Sequence, residues 1–359
     1  MVELMVAITL ALIVTTGVLS VFVGSRSAFQ STSGIAALSD SGRFALNSIE
    51  NAVRDSGFMA CSSVNTLVSN LNPATMLGYA VGPSGLLQPL TGYEAKNTSV
   101  GNTYAAGTTI GAVGNWNPNL DAAFGGLAGQ PNNLGMYIKN NDILVTRSAA
   151  PSSQPSYVLS IADGSNSFTV DSQGSLQAPQ WAVISDCGMA VLFEITALGP
   201  AAPGILVSHT VATPGNAVAA LPPATFGAGA MVMPLTTTVY YVGVGDDGDG
   251  ALFSANVAPN NALTTTELVP DIEAMQILYG VDTTGLQTVT QYVTADQVVD
   301  FTAVMSVQVA VLAAGPPGSA SRPAGAHTYS LFGTLVTAPI DTRARQVFEV
   351  TIAARNALP

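Results

Sequence analysis

Val2-Glu3-Leu4-Met5-Val6-Ala7-Ile8-Thr9-Leu10-Ala11-Leu12-Ile13-Val14-Thr15-Thr16-Gly17-Val18-Leu19-Ser20-Val21-Phe22-Val23 is an apolar run with one carboxylate at its mouth, and its reading decides the architecture of everything that follows. From Leu4 to Val23 no side chain is charged. Twenty helical residues at about 1.5 Å rise span the roughly 30 Å of a bilayer's hydrocarbon core. Residues 4–23 are therefore read as a transmembrane segment.

A secretory signal would need a basic region before the run and a small-residue cleavage site after it. Here no Lys or Arg precedes the run, and the sequence beyond Val23 does not fall into a linker. Ile35, Leu38, Gly42, Leu46, Ile49 and Val53 recur at three- and four-residue steps, the period of an amphipathic helix. Membrane segment and amphipathic segment read as one continuous helix of roughly 55 residues, about 80 Å long. Asp55-Ser56-Gly57 supplies the turn chemistry that ends it, so residues 1–57 form the helix and 58–359 the globular part.

Glu3 is the exception within the run, because an ionisable group in hydrocarbon costs about 2 to 3 kcal/mol at the bilayer centre and less near the surface. It either sits at the interface, where its charge favours the helix N-terminus, or has a partner. Val2-Glu3-Leu4-Met5-Val6-Ala7-Ile8 resembles the N-terminal assembly motif of type IV pilins and the related pseudopilins. The resemblance implies that Glu3 pairs with the free N-terminal amine of a neighbouring subunit inside a fibre. In that family a leader ending in Gly-Phe-Thr stands just before such a segment, whereas this sequence starts inside it.

At 359 residues the chain is long enough for a substantial core, as one large domain or two small ones. Hydrophobic residues make up 48% but charged residues only 9%, against roughly 25% in an average soluble domain. The surface must therefore be built mainly from Ser, Thr, Asn, Gln and Gly, which with 35 Gly and 21 Pro suits a loop-rich, β-rich exported protein. A net charge of −12 repels phosphates, and nucleic acid is not an expected partner. Arg343, Arg345 and Arg355 cluster near the C-terminus and are read as structural. Cys61 and Cys187 lack the spacing of a zinc site or a redox pair. In an exported chain they read as one disulfide tying the end of the helix to a sheet strand, with two buried thiols as the alternative.

Residues 62–141 are rich in Gly, Asn, Pro and Thr, with turn signals at Asn115-Trp116-Asn117-Pro118-Asn119 and Gly125-Gly126, and are expected to form long loops with short strands. Strand-like runs follow at 142–147, 157–161, 167–171, 181–184, 190–196, 204–212, 236–243 and 304–312, separated by Gly, Pro and Asp clusters. In the last strand Phe348, Val350 and Ile352 alternate with Val347, Glu349 and Thr351, giving one buried and one wetter face. A helix is expected over 269–279. The predicted fold class is α+β: a long N-terminal helix, membrane-spanning in its first half and amphipathic in its second, packed on an antiparallel β-rich domain.

The segment Ile272-Glu-Ala-Met-Gln-Ile-Leu-Tyr-Gly-Val-Asp282, Gln291-Tyr292, Asp341-Thr-Arg343-Ala-Arg345 and Ala354-Arg355-Asn356 resemble the PilW family of minor pilins. Asn141-Asp142-Ile-Leu-Val-Thr-Arg147 and Asp186-Cys187 with Leu192-Phe193 fit the same pattern. Phe301 and Gln308 stand where that family usually has Trp and Arg, and both read as core or sheet-face variation.

Other motifs lead elsewhere only on paper. Gly243-Val-Gly245-Asp-Asp-Gly248 has the dinucleotide spacing, but a strand-like run rather than a helix follows it. Asp246-Asp-Gly-Asp249 lacks the alternating acids and terminal Glu of a calcium loop, with Val257 at the twelfth position, and reads as a polar hairpin rather than a surface ion site. His209, expected within a strand, and His327 have no metal spacing, and Glu267 with Asp271 read as helix-capping acids. No enzyme, cofactor or metal is expected.

The resemblance implies a structural subunit that primes type IV pilus assembly and sits in or near the tip. Its partners would be other minor pilins, the major pilin and a tip adhesin. It would be held by a single pass in the inner membrane, with the domain in the periplasm, and would reach the cell surface in the pilus. A type II secretion pseudopilin and a membrane-anchored adhesive or ligand-binding ectodomain are the alternatives. If the reading frame opens upstream of Met1, the preceding codons are expected to encode a short basic leader ending in glycine. Sequencing that DNA checks this, and an in-frame stop directly upstream would contradict it.

Overall fold

The computed structural model describes residues 2–62, 67–71, 88–120, 124–128, 135–150, 152–161, 165–211, 215–218, 221, 226–258, 262–320 and 327–357. One helix, α1 (Val2–Asp55), opens the chain. It ends as Gly57 turns to φ +78°, in the left-handed region that glycine enters without strain. The strands among the described residues run in order β1 (Leu67–Ser69), β2 (Leu90–Ala95), β3 (Thr103–Ala105), β4 (Trp116–Asn117), β5 (Ile143–Ala149), β6 (Ser156–Ile161), β7 (Ser167–Val170), β8 (Gln180–Ser185), β9 (Ala190–Ile195) and β10 (Ala197–Ala201). They continue with β11 (Gly204–Ser208), β12 (Met231–Val244), β13 (Gly250–Val257), β14 (Leu263–Pro270), β15 (Ile272–Val281), β16 (Gln291–Val293), β17 (Val304–Ala314), β18 (Thr328–Leu331), β19 (Thr334–Thr337) and β20 (Arg345–Ala353).

Three sheets form. The largest follows the order β1-β9-β8-β12-β6-β7-β11-β10, with β5 and β13 also pairing β12, β14 pairing β13, and β2 and β4 added beyond β5. The second is β16-β15-β17-β20 and the third β18-β19-β3. Strand β12 belongs to two regions at once. Met231 to Pro234 pair with β8, and the strand then runs on against β5 and β13. The change of partner falls at Pro234, which has no N–H to give to a ladder.

The sheets are mixed rather than purely antiparallel as expected. β1 lies parallel to β9, and β19 parallel to β3. Both β1 and β3 come from the loop-rich stretch after the helix and meet strands distant in sequence. Only hairpin neighbours are obliged to run antiparallel, so strand runs read one after another carry no information on these pairs.

Residues 269–279 are not helical. They are the end of β14 and most of β15, separated by Asp271 at φ +61°. The reason is burial on both faces. Met275, Ile277 and Tyr279 enter the core beneath α1, while Ala274 joins a smaller cluster with Ala310, Leu312, Leu331 and Val336 on the other side. A strand covered on both sides carries apolar residues at both parities, and such a run is easily taken for helical spacing. Glu267 and Asp271 accordingly cap no helix. Glu267 accepts the Asp246 amide, and Asp271 pairs with Arg343.

Only the second half of α1 touches the domain. Gly34, Leu38, Gly42, Ala45, Leu46, Ile49 and Val53 are buried, against a face that includes Val307, Val309, Val311, Ile352 and the half-buried Phe348 and Val350. Ile35, at the start of this contact, is half exposed instead of buried. The alternation expected in β20 holds from Phe348 on, with Glu349 and Thr351 exposed while Phe348, Val350 and Ile352 turn inward; Val347, expected on the wetter face, is half-buried against the cluster of Ala310 and Leu312. At the helix end the Asn356 side chain donates to the Arg54 carbonyl (2.9 Å) and the Gly57 amide to that of Arg147 (2.9 Å), satisfying groups a helix terminus leaves bare.

The large and four-stranded sheets are stitched by Asn141 and Asp142. Asn141 Oδ1 accepts the Met275 amide (2.8 Å), and the Asp142 carboxylate accepts the Ala95 amide from β2 (2.9 Å) and the Ile277 amide from β15 (2.8 Å).

A Cβ added at Gly42 would lie 2.3 Å from two ring carbons of Phe348. Gly42→Ala should gain about 1 kcal/mol of helix propensity and lose about 1–3 kcal/mol to overpacking. A net loss is expected in denaturant titrations of the full chain in micelles. Adding Phe348→Ala should restore the helix gain at Gly42→Ala, measured against Phe348→Ala alone.

Candidate assembly surface

The feature of α1 that calls for a function is its unpaired half. Residues 2–30 are all exposed, with Val2, Leu4, Met5, Ile13, Val21 and Phe22 each more than 60% accessible. No soluble domain gains by holding such a surface in water, where apolar area costs roughly 25 cal/mol per Å². The segment suits lipid. Its hydroxyls are satisfied within the helix, with Thr9, Thr15, Thr16 and Ser20 donating to the carbonyls of Val6, Ala11, Leu12 and Gly17. In hydrocarbon every such group needs an internal partner. Glu3 lies in the first turn of this segment, remote from the two cysteines and the arginine cluster.

The helix is long and apolar enough to cross a membrane once, and the β-rich domain stands outside it. Between Val23 and Ser31, the first residue to touch the domain through a bond from its hydroxyl to the Ser319 carbonyl (2.9 Å), lie only seven residues. At about 1.5 Å each that is a spacer of about 10 Å.

Cys61 and Cys187 are bonded, with their Cα atoms 4.7 Å apart. The bridge joins the segment just after α1 to the turn between β8 and β9, two residues beyond the end of β8 rather than within a strand. Together with Ser185, Asp186 and 227–231 it lines an open cleft of about 260 Å³.

The arginines form a second buried construction. Arg343 pairs with Asp249 and Asp271, and Arg345 with Glu273 and Asp341. Four carboxylates from the β12–β13 turn, the β14–β15 joint, β15 and the loop before β20 are thus gathered by two guanidinium groups. Asp247, Asp249 and Asp271 come close enough for one cation to reach all three, but Asp249 and Asp271 already hold Arg343. The Gly243–Gly248 motif forms the β12–β13 hairpin, with Gly248 at φ +84°, and no helix opens there. His209 lies one residue past β11, fully buried, with its ring against Phe168 and Phe193 and neither nitrogen bonded. Burial pushes its imidazole down to about 4, so it is a neutral core side chain at ordinary pH.

Phe301 is buried, edge-on to Tyr279, and Gln308 faces Thr351 across β17 and β20. Sequence reading did not single out Glu94, whose side chain is buried beside Asp142. The available signal was one acidic residue inside the apolar strand Leu90–Ala95.

Residues 239–356 match the model of the family PilW, Type IV Pilus-assembly protein W. That stretch is PilW-like. The match takes in the end of β12 and all strands from β13 to β20, and so includes the whole four-stranded sheet and the arginine cluster. The resemblances at Ile272–Asp282, Gln291-Tyr292, Asp341–Arg345 and Ala354–Asn356 lie inside the PilW match, and those at Asn141–Arg147 and Asp186-Cys187 lie outside it. No curated protein and no solved structure matches the chain.

The disulfide closes a separation of 126 residues. By chain entropy its removal costs up to about 4–5 kcal/mol, an upper figure. Cys187→Ser is expected to lower the melting temperature of the full chain without changing its membrane insertion. Peptide mapping of the unreduced protein should show the two cysteine peptides linked, and two alkylatable thiols would contradict the bridge.

Proposed function

We propose that this chain is a minor pilin: a structural subunit that primes type IV pilus assembly and resides in or near the fibre tip. One combination carries the reading. The same chain has a PilW-type domain and a lone apolar helix whose first half makes no contact with that domain and bears a carboxylate in its first turn. A helix with two environments on one axis can leave lipid only for another apolar setting. The core of a bundle of like helices supplies one, while the domains remain outside. Glu3 then exchanges a costly position near hydrocarbon for a cation, the N-terminal amine of a neighbour.

On this reading the partners are other minor pilins, the major pilin and a tip adhesin. The helix is held in the inner membrane and the domain lies in the periplasm until assembly. The role is mechanical and has no catalytic step. Glu3→Ala removes the carboxylate and should ease membrane insertion rather than hinder it. The variant is expected at normal levels in the membrane and missing from sheared fibres. Incorporation equal to that of the parent would overturn the proposal.

A further inference from the structure

Beneath the seam between the two larger sheets lies an acid pair that the assembly reading leaves unused. Asp142 and Glu94 are 2% and 5% exposed. Asp142 is well provided for as an anion, since its two oxygens accept the Ala95 and Ile277 amides. Glu94 is not. Its Oε1 accepts the Thr98 hydroxyl (3.2 Å) and the Ala295 amide points at the carboxylate, but the buried Oε2 has no partner at hydrogen-bond geometry. No ion pair reaches either carboxylate among the described residues.

The buried cation of β5, Arg147, is directed to β2 away from the pair, donating to the Gln88 carbonyl (3.0 Å) and the Thr91 hydroxyl (3.1 Å). Asp296, in the short turn Ala295–Gln297 packed on β2, adds a third carboxylate, itself bonded by Asn117 and Thr294. Asp300, in the next turn, caps the Thr302 amide and faces Gln88. From β15 comes the Tyr279 hydroxyl, buried and unpartnered, for which Gly92 leaves room: a Cβ there would meet it at 1.9 Å. From β3 comes the Tyr104 hydroxyl, a neutral acceptor for Gln276. Lys96, the nearest cation along β2, turns outward to Asn119. The three carboxylates do not form a group that one cation could bridge.

We infer that the seam is closed by a proton: Glu94 stays protonated in the folded domain beside an ionised Asp142, and losing that proton loosens the join between β2 and β15. The neutral acid leaves one charge where two would repel, and it spares the poorly partnered oxygen the cost of carrying a buried charge. Burial, then the charge of Asp142, pushes Glu94 up to about 9, while burial pushes Asp142 up to about 7 against the pull of its two amide bonds. Both groups sit at about 4 in the unfolded chain. Above that pH the folded state keeps protons that the unfolded state has released, that of Asp142 up to about 7 and that of Glu94 up to about 9, so stability is greatest in mild acid and falls as pH rises, with Glu94 alone setting the slope above about 7.

The experiment is a denaturant titration of the full chain in detergent micelles from pH 5 to pH 10, with the disulfide intact. The parent's folding constant should fall with pH, by up to about tenfold per unit where one proton is released. Glu94→Gln, which keeps the shape and supplies the donor permanently, should remove most of that slope above pH 7 and exceed the parent in stability at pH 10. An unchanged slope in Glu94→Gln, or a parent with no slope, would overturn the inference. If the variant does not fold, infrared difference spectra of the parent decide: a protonated-carboxyl band at pH 7.5 that vanishes at pH 10 supports it, and its absence at pH 7.5 overturns it. This inference does not depend on the pilin reading, and neither test bears on the other.

Discussion

The second half of α1 lying on the face of β17 and β20 is the contact on which the rest of the structure depends. It buries Leu38, Ala45, Leu46, Ile49 and Val53 against the valines of β17 and brings Gly42 up to Phe348. The same helix carries the membrane segment, so this interface alone decides how the domain is held relative to the bilayer. Two small residues set the close approach, Gly34 at Ser319 and Gly42 at Phe348. Small residues allow a helix to pack near a sheet, and any side chain there would lift it away.

The long helix was legible because two strong signals coincide on it, an uncharged run followed by a 3.6-residue period. Most strands from Ile143 onward were legible for a similar reason, being short, β-branched and set off by turns. What escaped has a physical cause in each case. β15 is covered on both faces and shows no alternation; β13 and β14 follow a turn rich in acids and contain small and hydroxylated residues. The parallel pairs β1–β9 and β3–β19 join segments whose proximity is tertiary. Residues 63–66 and 72–87, in the stretch expected to be loop-rich, lie outside the described residues.

For the site, Glu3 stood out by contrast with its neighbours, and the cysteines by being two. The pairing of Arg343 and Arg345 with four carboxylates could not be read from spacing, because Asp249, Asp271 and Glu273 are far from them in sequence. Nor could the meeting of Glu94 with Asp142. In a chain with 9% charged residues, however, each acid inside an apolar run is unusual enough to ask where its charge goes.

Strand β20 has a bearing on how the molecule carries load. Its start lies near Gly34, through Gly315 and Ser319; its middle is at Gly42, through Phe348; beyond its end Asn356 holds the carbonyl of Arg54. The strand therefore runs alongside the helix in the same direction, and β17 runs back beside it through nine paired positions, Ser306 with Ala353 to Ala314 with Arg345. Tension applied along α1 from its membrane end reaches this ladder lengthwise. Hydrogen bonds pulled along the strand axis share the force and must fail together, whereas bonds pulled across it open one at a time like a zip. The orientation of one strand thus makes the domain stiff in the one direction in which its anchor can pull.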